Sequence, residues 1–236
     1  MVVVDGIAQN LKRIEEEIAL AATRAGRQAE EITLVGVSKT QPARAVAEAV
    51  MAGLRHIGEN RVQEAVAKFG RLDELLGDSA RPIRHLVGHL QTNKAAEAID
   101  LFERIDSVDS LKLAQALGRR VPLGRELAVL LEIYVGDDPA RPGLRVEGLV
   151  EAVGAIVEVP GIRVEGLMTV APLGGDPRAA FRQVAALKQM LAAAFPRVHF
   201  GHLSMGMSED FSIAIEAGAT EVRVGTALFG PRKPRP

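Results

Sequence analysis

The sequence predicts an α/β fold, a single (β/α)8 TIM barrel, and three observations favour it. Short β-rich runs alternate with Ala-, Leu- and Glu-rich segments of helical periodicity, which is typical of right-handed βαβ units. The β-rich runs carry apolar residues on both faces, as expected for a parallel sheet covered on both sides. Eight such runs within 236 residues fit a closed barrel. An open doubly wound sheet is the alternative, but it would leave two edge strands, which are usually less apolar.

An additional amphipathic helix precedes the first strand. Between Ile7 and Ile18, apolar residues recur at spacings of three and four, which places one apolar stripe opposite charged side chains. Asp5 is expected to cap this helix at its N-terminus, and Gly26 is expected to end it.

The β-rich runs follow in order along the rest of the chain. They are expected as strands at residues 32–39, 55–59, 84–90, 104–108, 127–135, 164–171, 198–204 and 221–229. No linker or break in composition marks a second domain, so residues 1–230 are expected to form one barrel. Residues 231–236, PRKPRP, are basic and Pro-rich and are predicted to be a short disordered tail.

Composition excludes several classes of protein. A net charge of -1 with mixed signs argues against nucleic-acid and membrane-surface binding. The absence of Cys removes disulfides and thiolate metal sites and suits a reducing compartment. The N-terminus lacks the basic region of a signal peptide, and no apolar stretch is long enough to span a bilayer. A cytoplasmic protein is expected, and a monomer, because no exposed apolar stripe is left over.

Lys39 follows the apolar residues of the run ITLVGVSKT, residues 32–40. It could be the first solvated residue of a loop, because lysines are mostly exposed. Active sites of barrels, however, lie at the C-terminal ends of the strands, and a lysine there is partly desolvated, which lowers its pKa. A neutral amine is what a Schiff base with an aldehyde requires, and aldolase-type barrels and pyridoxal-phosphate proteins both use such a lysine.

The last two βα connections could bind a phosphate. They read HLSMGMSED and VRVGTALFG, and barrels often bind phosphate with the loops after strands seven and eight. Ser204 and Thr226 offer hydroxyls, while Gly206 and Gly225 let the backbone approach closely. Ser208 is also an ordinary candidate for a helix N-cap. A lysine that binds an aldehyde and loops that bind a phosphate together describe a pocket for a molecule with both groups. Pyridoxal 5'-phosphate has both and is the expected cofactor.

Arg223 lies within an otherwise apolar strand, three residues before Thr226. A buried arginine stays charged and needs acceptors. One possibility is a salt bridge to Glu165 or Glu221. The other is a hydrogen bond to the pyridine nitrogen of the cofactor, which would keep that nitrogen unprotonated and restrain carbanion chemistry.

Two further side chains, Asn60 and Met168, permit two interpretations each. Asn60 follows a predicted strand and could bind a ring substituent or cap the next helix. Met168 could cover a flat ring, although core packing is the commoner use of Met. His85 and His89 lie four residues apart on a predicted strand, too far apart to chelate one metal, so no metal site is predicted.

Runs along nearly the whole chain resemble the YggS/PROSC family of pyridoxal-phosphate homeostasis proteins. They are ITLVGVSKTQPA, IGENRVQEA, HLVGHLQTNKA, DSVDS, GLMTVAP and LSMGMSEDFSIAIEAGATEVRVGTALFG. The resemblance implies one barrel similar to the N-terminal domain of alanine racemase, fold type III, with the cofactor held as an aldimine. The aldimine lysine then falls on Lys39 and the pyridine-nitrogen arginine on Arg223. The phosphate contacts fall on the stretch from Ser204 to Met207 and on Gly225 and Thr226.

The same resemblance implies a carrier with no established turnover, which could supply apo-enzymes that depend on pyridoxal phosphate. A racemase- or decarboxylase-like enzyme is the alternative, and an aldolase-type barrel without the cofactor is a third. Alanine racemase takes its second acid/base group, a tyrosine, from an additional domain, whereas the one tyrosine here, Tyr134, is on the fifth predicted strand. The segment EIYVGDDPARPGL departs from the family pattern, and Arg141 could replace the lysine expected there.

Overall fold

The computed structural model describes residues 6–172 and 174–231. Eight parallel strands pair in chain order, and the last pairs with the first, so the sheet closes into a barrel. The closed barrel confirms the predicted fold class. The strands are β1 (Thr33–Val37), β2 (His56–Glu59), β3 (Ile83–Leu86), β4 (Arg104–Val108), β5 (Leu127–Glu132), β6 (Ile162–Met168), β7 (His202–Ser204) and β8 (Glu221–Val224).

The helices of the described residues cover the outside of the barrel. They are α1 (Ile7–Arg24), α2 (Ala43–Met51), α3 (Val62–Leu76), α4 (Ala95–Leu101), α5 (Leu111–Gly118), α6 (Leu149–Val157), α7 (Pro177–Ala194), α8 (Phe211–Glu216) and α9 (Thr226–Phe229). The apolar core lies between the outward faces of the strands and these helices, and Phe69, Phe102 and Phe181 are its largest fully buried side chains. Among the helices of residues 6–172 and 174–231, none has both the length and the apolar character needed to cross a membrane.

The additional N-terminal helix is α1, which packs against α2, α8 and α9. It begins after Gly6, and Asp5, the expected cap, lies outside the described residues. Gly26 follows the C-cap residue with a φ of +68°, a left-handed conformation that glycine adopts without steric cost, so it ends the helix as expected.

Several predicted strands are too long. The seventh begins at His202 instead of residue 198, and the fifth ends at Glu132, before Tyr134. The second half of the predicted eighth strand is wrong, because the chain turns into α9 directly after Gly225, whose ψ of -76° cannot continue a strand. Residues 232–236, most of the predicted tail, lie outside the described part of the chain.

The N-terminal half of the barrel interior is filled by ionisable side chains, which the strand patterns did not predict. Arg104 bonds to Asp106 at 2.7 Å and also contacts Glu221. His85 lies 3.1 Å from Asp106 and 3.0 Å from His56 through its two ring nitrogens. One ligand atom from each of His85, Asp106 and Glu221 would fit a common metal ion, but the Arg104 guanidinium already balances both acids. This layer closes one end of the barrel and leaves the strand C-termini open.

Candidate functional site

A cavity of about 300 Å³ opens at the C-terminal ends of the strands, the end where barrels place their sites. This volume is at the lower end of the range for small-molecule pockets, roughly 300–1,000 Å³. Its walls come from the chain just after β1, β2, β3, β6, β7 and β8. The lining residues are Val37, Lys39, Gln41, Asn60, Val87, Val170, Met207, Ser208, Glu209, Asp210, Arg223, Gly225, Thr226 and Gly230.

Lys39 lines this cavity, two residues beyond the end of β1, and it is half-buried. Lys39 is thus a partly exposed loop residue that lies at the cavity, and its role there stays a prediction. The next residue, Thr40, has a φ of +64°, which is uncommon for a residue with a side chain. Its backbone N–H donates to the Glu64 carboxylate on α3. The lysine thus projects from a strained turn that its neighbours hold in place.

Arg223 lies inside the barrel on β8 and also lines the cavity. Its guanidinium donates to the hydroxyl of Ser204 at 2.8 Å and to the carbonyl of Thr169 at 2.7 Å. Burial lowers the pKa of Arg223 from its ordinary value, and the negative charges of Glu221 and Asp106 oppose that shift. Arginine nevertheless stays protonated, so the site contains a fixed positive charge with donors to spare.

The alternative of a salt bridge from Arg223 to Glu165 or Glu221 is wrong. Both acids are paired with other arginines, Glu165 with Arg163 and Glu221 with Arg104. Arg104, on β4, reaches Glu221 across the barrel, and Glu221 lies two residues before Arg223 on β8. Pairing these two residues leaves the guanidinium of Arg223 directed at neutral acceptors.

The turn after β8 forms one wall of the cavity through Gly225 and Thr226. A Cβ added at Gly225 would lie 3.2 Å from the carbonyl oxygen of Val37 on β1, closer than ordinary van der Waals contact. Glycine therefore lets this turn approach the strand that leads to Lys39. Thr226 contributes a hydroxyl and a backbone N–H at the first turn of α9.

The loop after β7 forms the adjacent wall through Met207, Ser208 and Asp210. The expectation that Ser208 caps a helix is wrong, because α8 has Asp210 as its N-cap residue. The Ser208 hydroxyl instead accepts a hydrogen bond from the N–H of Ala227 at 3.4 Å, which joins the two loops. The Asp210 carboxylate accepts from the N–H of Met207 at 2.6 Å and places a negative charge at the cavity wall.

Asn60 follows β2 immediately and lines the cavity. It does not cap α3, whose N-cap residue is Arg61. The side-chain oxygen of Asn60 is buried and has no hydrogen-bond partner within residues 6–172 and 174–231. Because a buried acceptor without a partner costs free energy, a donor on a bound molecule would stabilise it.

Two of the residues predicted for the site do not line the cavity. Ser204, at the end of β7, is fully buried and bonds to Arg223. Met168, at the end of β6, is 1 % exposed and pairs with β5 and β7 in the sheet, so it packs within the barrel. The other six predicted residues all line it: Lys39, Asn60, Met207, Arg223, Gly225 and Thr226.

The acidic and aliphatic parts of the cavity wall were not predicted from the sequence. Glu209 and Asp210 line the cavity, although such acids next to a serine are typical of an ordinary helix start. Val37, Val87 and Val170 line it as well, and the apolar composition of strand ends gave no means of separating them from the core. Their position at the C-terminal strand ends is the one signal that could have identified them.

The loop after β5 contributes no lining residue among those that the structure describes. Tyr134 is 7 % exposed, with the guanidinium of Arg145 stacked 4.8 Å from its ring centroid. Arg141 lies further along the loop, where its carbonyl accepts from Arg145 at 2.7 Å. Neither Tyr134 nor Arg141, the residue that could replace the lysine expected in the family, therefore lines the cavity.

Comparison with known proteins agrees with this geometry. Residues 9–233 match the family model described as alanine racemase, N-terminal domain. The pyridoxal phosphate homeostasis protein of Escherichia coli is 40 % identical over 230 residues, covering 96 % of this chain and 97 % of that protein. PipY of Synechococcus elongatus, solved with PLP bound, is 38 % identical with a TM-score of 0.78, covering 92 % of this chain and all of that one. Alanine racemase of Corynebacterium glutamicum shares the fold at 20 % identity and a TM-score of 0.64, covering 92 % of this chain and 60 % of its own.

Proposed function

This chain belongs to the alanine racemase N-terminal domain family and, within it, to the pyridoxal phosphate homeostasis proteins, and from that premise we propose how it binds the cofactor. It binds pyridoxal 5'-phosphate in the cavity at the strand C-termini and acts in the homeostasis of that cofactor as a carrier or buffer. The observation that carries this proposal is the presence of Lys39, Arg223 and Thr226 on the walls of one cavity.

The residues of the cavity fit the cofactor group by group. Bound pyridoxal phosphate supplies an aldehyde, whose carbon forms a C=N bond with a primary amine as water leaves. Lys39 supplies that amine from the turn after β1. Gly225 and Thr226 supply N–H and hydroxyl donors for the phosphate, together with the loop that contains Met207. The unpartnered oxygen of Asn60 would accept a hydrogen bond from the ring hydroxyl.

Arg223 determines how far the site favours chemistry on the ring. Its guanidinium is held by two neutral acceptors and carries donors that face the cavity. An arginine donates a hydrogen bond to the pyridine nitrogen without giving up its proton. Such a contact would keep the nitrogen unprotonated and would leave the ring a weaker electron sink than one paired with an acid.

Low turnover is part of the proposal. Relatives of this chain are named as homeostasis proteins and not as enzymes. A racemase needs proton-transfer groups on both faces of the ring, and the one tyrosine, Tyr134, lies in the loop after β5 without lining the cavity. We place the protein in the cytoplasm as a monomer that supplies the cofactor to apo-enzymes. Ser204 and Met168, which do not line the cavity, support the binding site from within the barrel.

The decisive experiment follows the colour of the protein. The chain purified with pyridoxal phosphate is expected to absorb visible light, to lose that absorption on borohydride treatment and to retain the label on the peptide that contains Lys39. Lys39→Ala should abolish the covalent label. A label on another lysine contradicts the assigned site, and release of product from single L-amino acids well above the rate with free cofactor contradicts the carrier role.

Two further measurements address the finer claims. Size-exclusion chromatography with light scattering distinguishes the monomer from a dimer. Incubation of the holo-protein with an apo-enzyme that depends on pyridoxal phosphate, with and without a membrane that only free cofactor crosses, tests direct transfer. Equal reactivation in both arrangements indicates release into solution.

A further inference from the structure

A buried lysine, Lys68 on α3, contacts the backbone that leads to Lys39. We infer that Lys68 is a positioning residue, which fixes the turn after β1 so that the Lys39 amine is directed into the cavity. This inference rests on the proposed function, because it assigns a role in forming the bond to the cofactor. Lys68 is 7 % exposed and does not line the cavity, so it acts through its neighbours.

Its contacts on one side reach the residue before Lys39. The Lys68 ammonium donates to the carbonyl of Ser38 at 2.7 Å and to one carboxylate oxygen of Glu59 at 2.5 Å. The hydroxyl of Ser38 donates to that same Glu59 oxygen at 2.6 Å. Ser38 and Glu59 are both fully buried, so three hydrogen bonds hold Ser38 in a region closed to water, and one of them is to the carbonyl of the peptide unit that enters Lys39.

On the other side, the network reaches the residue after Lys39. The Glu64 carboxylate accepts from the N–H of Thr40 and lies 3.7 Å from the Lys68 ammonium. Thr40 has a φ of +64°, a conformation that costs free energy in a residue with a side chain and persists only where the surroundings enforce it. Glu64 and Lys68 are one turn apart on α3, so a single helix face constrains the turn on both sides of the lysine.

Stabilisation of the fold does not account well for the buried ion pair between Lys68 and Glu59. Burial raises the pKa of Glu59 and the charge of Lys68 opposes that shift, so the pair contains one charge that is costly to bury. The second carboxylate oxygen of Glu59 has no hydrogen-bond partner within the described residues. A buried ion pair with an unsatisfied oxygen is usually no more stable than an apolar replacement, whereas it does fix geometry.

The test separates covalent attachment from binding. Lys68→Met removes the ammonium, and the double variant Glu59→Gln/Lys68→Met removes it without leaving a buried charge unpaired. Each is compared with the unchanged chain for affinity toward pyridoxal phosphate and toward pyridoxamine phosphate, which has an amine instead of the aldehyde and cannot condense with Lys39. Leu72→Ala, on the same helix and fully buried, is the control for destabilisation alone.

We expect both Lys68 variants to bind pyridoxal phosphate about 10- to 100-fold more weakly and to form the borohydride-reducible link more slowly, because a displaced nucleophile loses its attack geometry. Their affinity for pyridoxamine phosphate should change less than twofold, and Leu72→Ala should alter neither affinity. Equal losses for both ligands, or none in the double variant, overturn the inference. Failure of the unchanged chain to form the link, or a link that survives Lys39→Ala, instead contradicts the proposed function.

Discussion

The guanidinium of Arg223 donates a hydrogen bond to the hydroxyl of Ser204 at 2.8 Å, and this contact joins β8 to β7 inside the barrel. Both side chains are at least 95 % buried. Ser204 therefore contributes to the site without lining it, by setting the direction in which the remaining guanidinium donors point. The sequence predicts Ser204 as a phosphate contact, whereas in the structure its hydroxyl accepts from Arg223, the residue proposed to bind the pyridine nitrogen.

Replacing Ser204 with alanine is expected to loosen Arg223 and to leave the phosphate contacts intact. Loss of one hydrogen bond to a charged group should lower the free energy of unfolding by about 1.5–3 kcal/mol. Affinity for pyridoxal and for pyridoxal phosphate should fall by the same factor, because the missing contact lies away from the phosphate. Urea unfolding and titration of both ligands provide the measurement.

The control for Ser204→Ala is Ser107→Ala, since Ser107 is also fully buried but donates to a neutral carbonyl, that of Gly88, at 2.7 Å. This change should cost only about 0.5–1.5 kcal/mol and leave the affinity for either ligand unaltered. If Ser204→Ala weakens pyridoxal phosphate alone, Ser204 contacts the phosphate after all.

Thr226→Ala tests the position of the phosphate. Removing one hydrogen bond to a charged group should cost about 1.5–3 kcal/mol, or roughly 10- to 150-fold in affinity for pyridoxal phosphate. Pyridoxal, which has no phosphate, should bind equally well to the variant and to the unchanged chain. The measurement is equilibrium titration by absorbance.

Thr23→Ala is the matched control, because Thr23 lies on the exposed side of α1 and donates only to the carbonyl of Ala19. It should change neither affinity. An unaltered affinity of Thr226→Ala for pyridoxal phosphate would mean that the phosphate binds in another loop.

Much of the site could be predicted because its chemistry is local in sequence. Lys39 follows an apolar strand, and Gly225 and Thr226 follow another, so the rule that barrel sites gather at strand C-termini was enough to bring them together. Arg223 stood out because a charge within an apolar strand requires a partner. The eight-strand count similarly predicted the closed barrel.

The remainder depends on distances that no local pattern encodes. The direction of the Ser204 hydroxyl is set by pairing between β7 and β8 and by the burial of Arg223 beside it. Arg104 and Glu221 meet across the barrel although 117 residues separate them in the chain. In the sequence, Lys68 cannot be distinguished from any other cation on an amphipathic helix. It is buried only because α3 approaches the turn after β1.

Asp210→Asn should tighten the binding of pyridoxal phosphate. The carboxylate lies on the cavity wall and accepts from the N–H of Met207, so its charge faces the region assigned to the phosphate. Asparagine retains an oxygen acceptor for that N–H while removing the negative charge. We expect a severalfold gain in affinity that shrinks as salt is added, because screening weakens the repulsion in the unchanged chain.

Glu30→Gln is the control for this change of net charge, since Glu30 is exposed in the segment before β1, at the opposite end of the barrel. It should leave the affinity unaltered at every salt concentration. Weaker binding of pyridoxal phosphate to Asp210→Asn would indicate that the carboxylate itself helps to order the loop and that its charge is not repulsive.

The stability of the barrel is expected to depend on pH through His56. Burial, followed by the charge of His85, lowers the pKa of His56 from 6.5 to about 4. Between these two values the unfolded chain binds more protons at this residue than the folded chain does. The free energy of unfolding should therefore fall as the pH is lowered from 6.5 to 4. The part due to His56 should be about 1–2 kcal/mol, less than the whole shift corresponds to, because His56 is only partly buried and solvent screens its charge.

His56→Gln isolates that part, because the variant loses one imidazole and keeps the paired charges of the same polar layer, Arg104 with Asp106 and Glu221. Urea unfolding at intervals from pH 7 to pH 4 should show a smaller loss of stability for the variant than for the unchanged chain. His199→Gln, at an exposed histidine, should keep the original profile. Parallel profiles for His56→Gln and the unchanged chain would show that the barrel interior accepts a proton at His56 without cost, which its contact with His85 at 3.0 Å argues against.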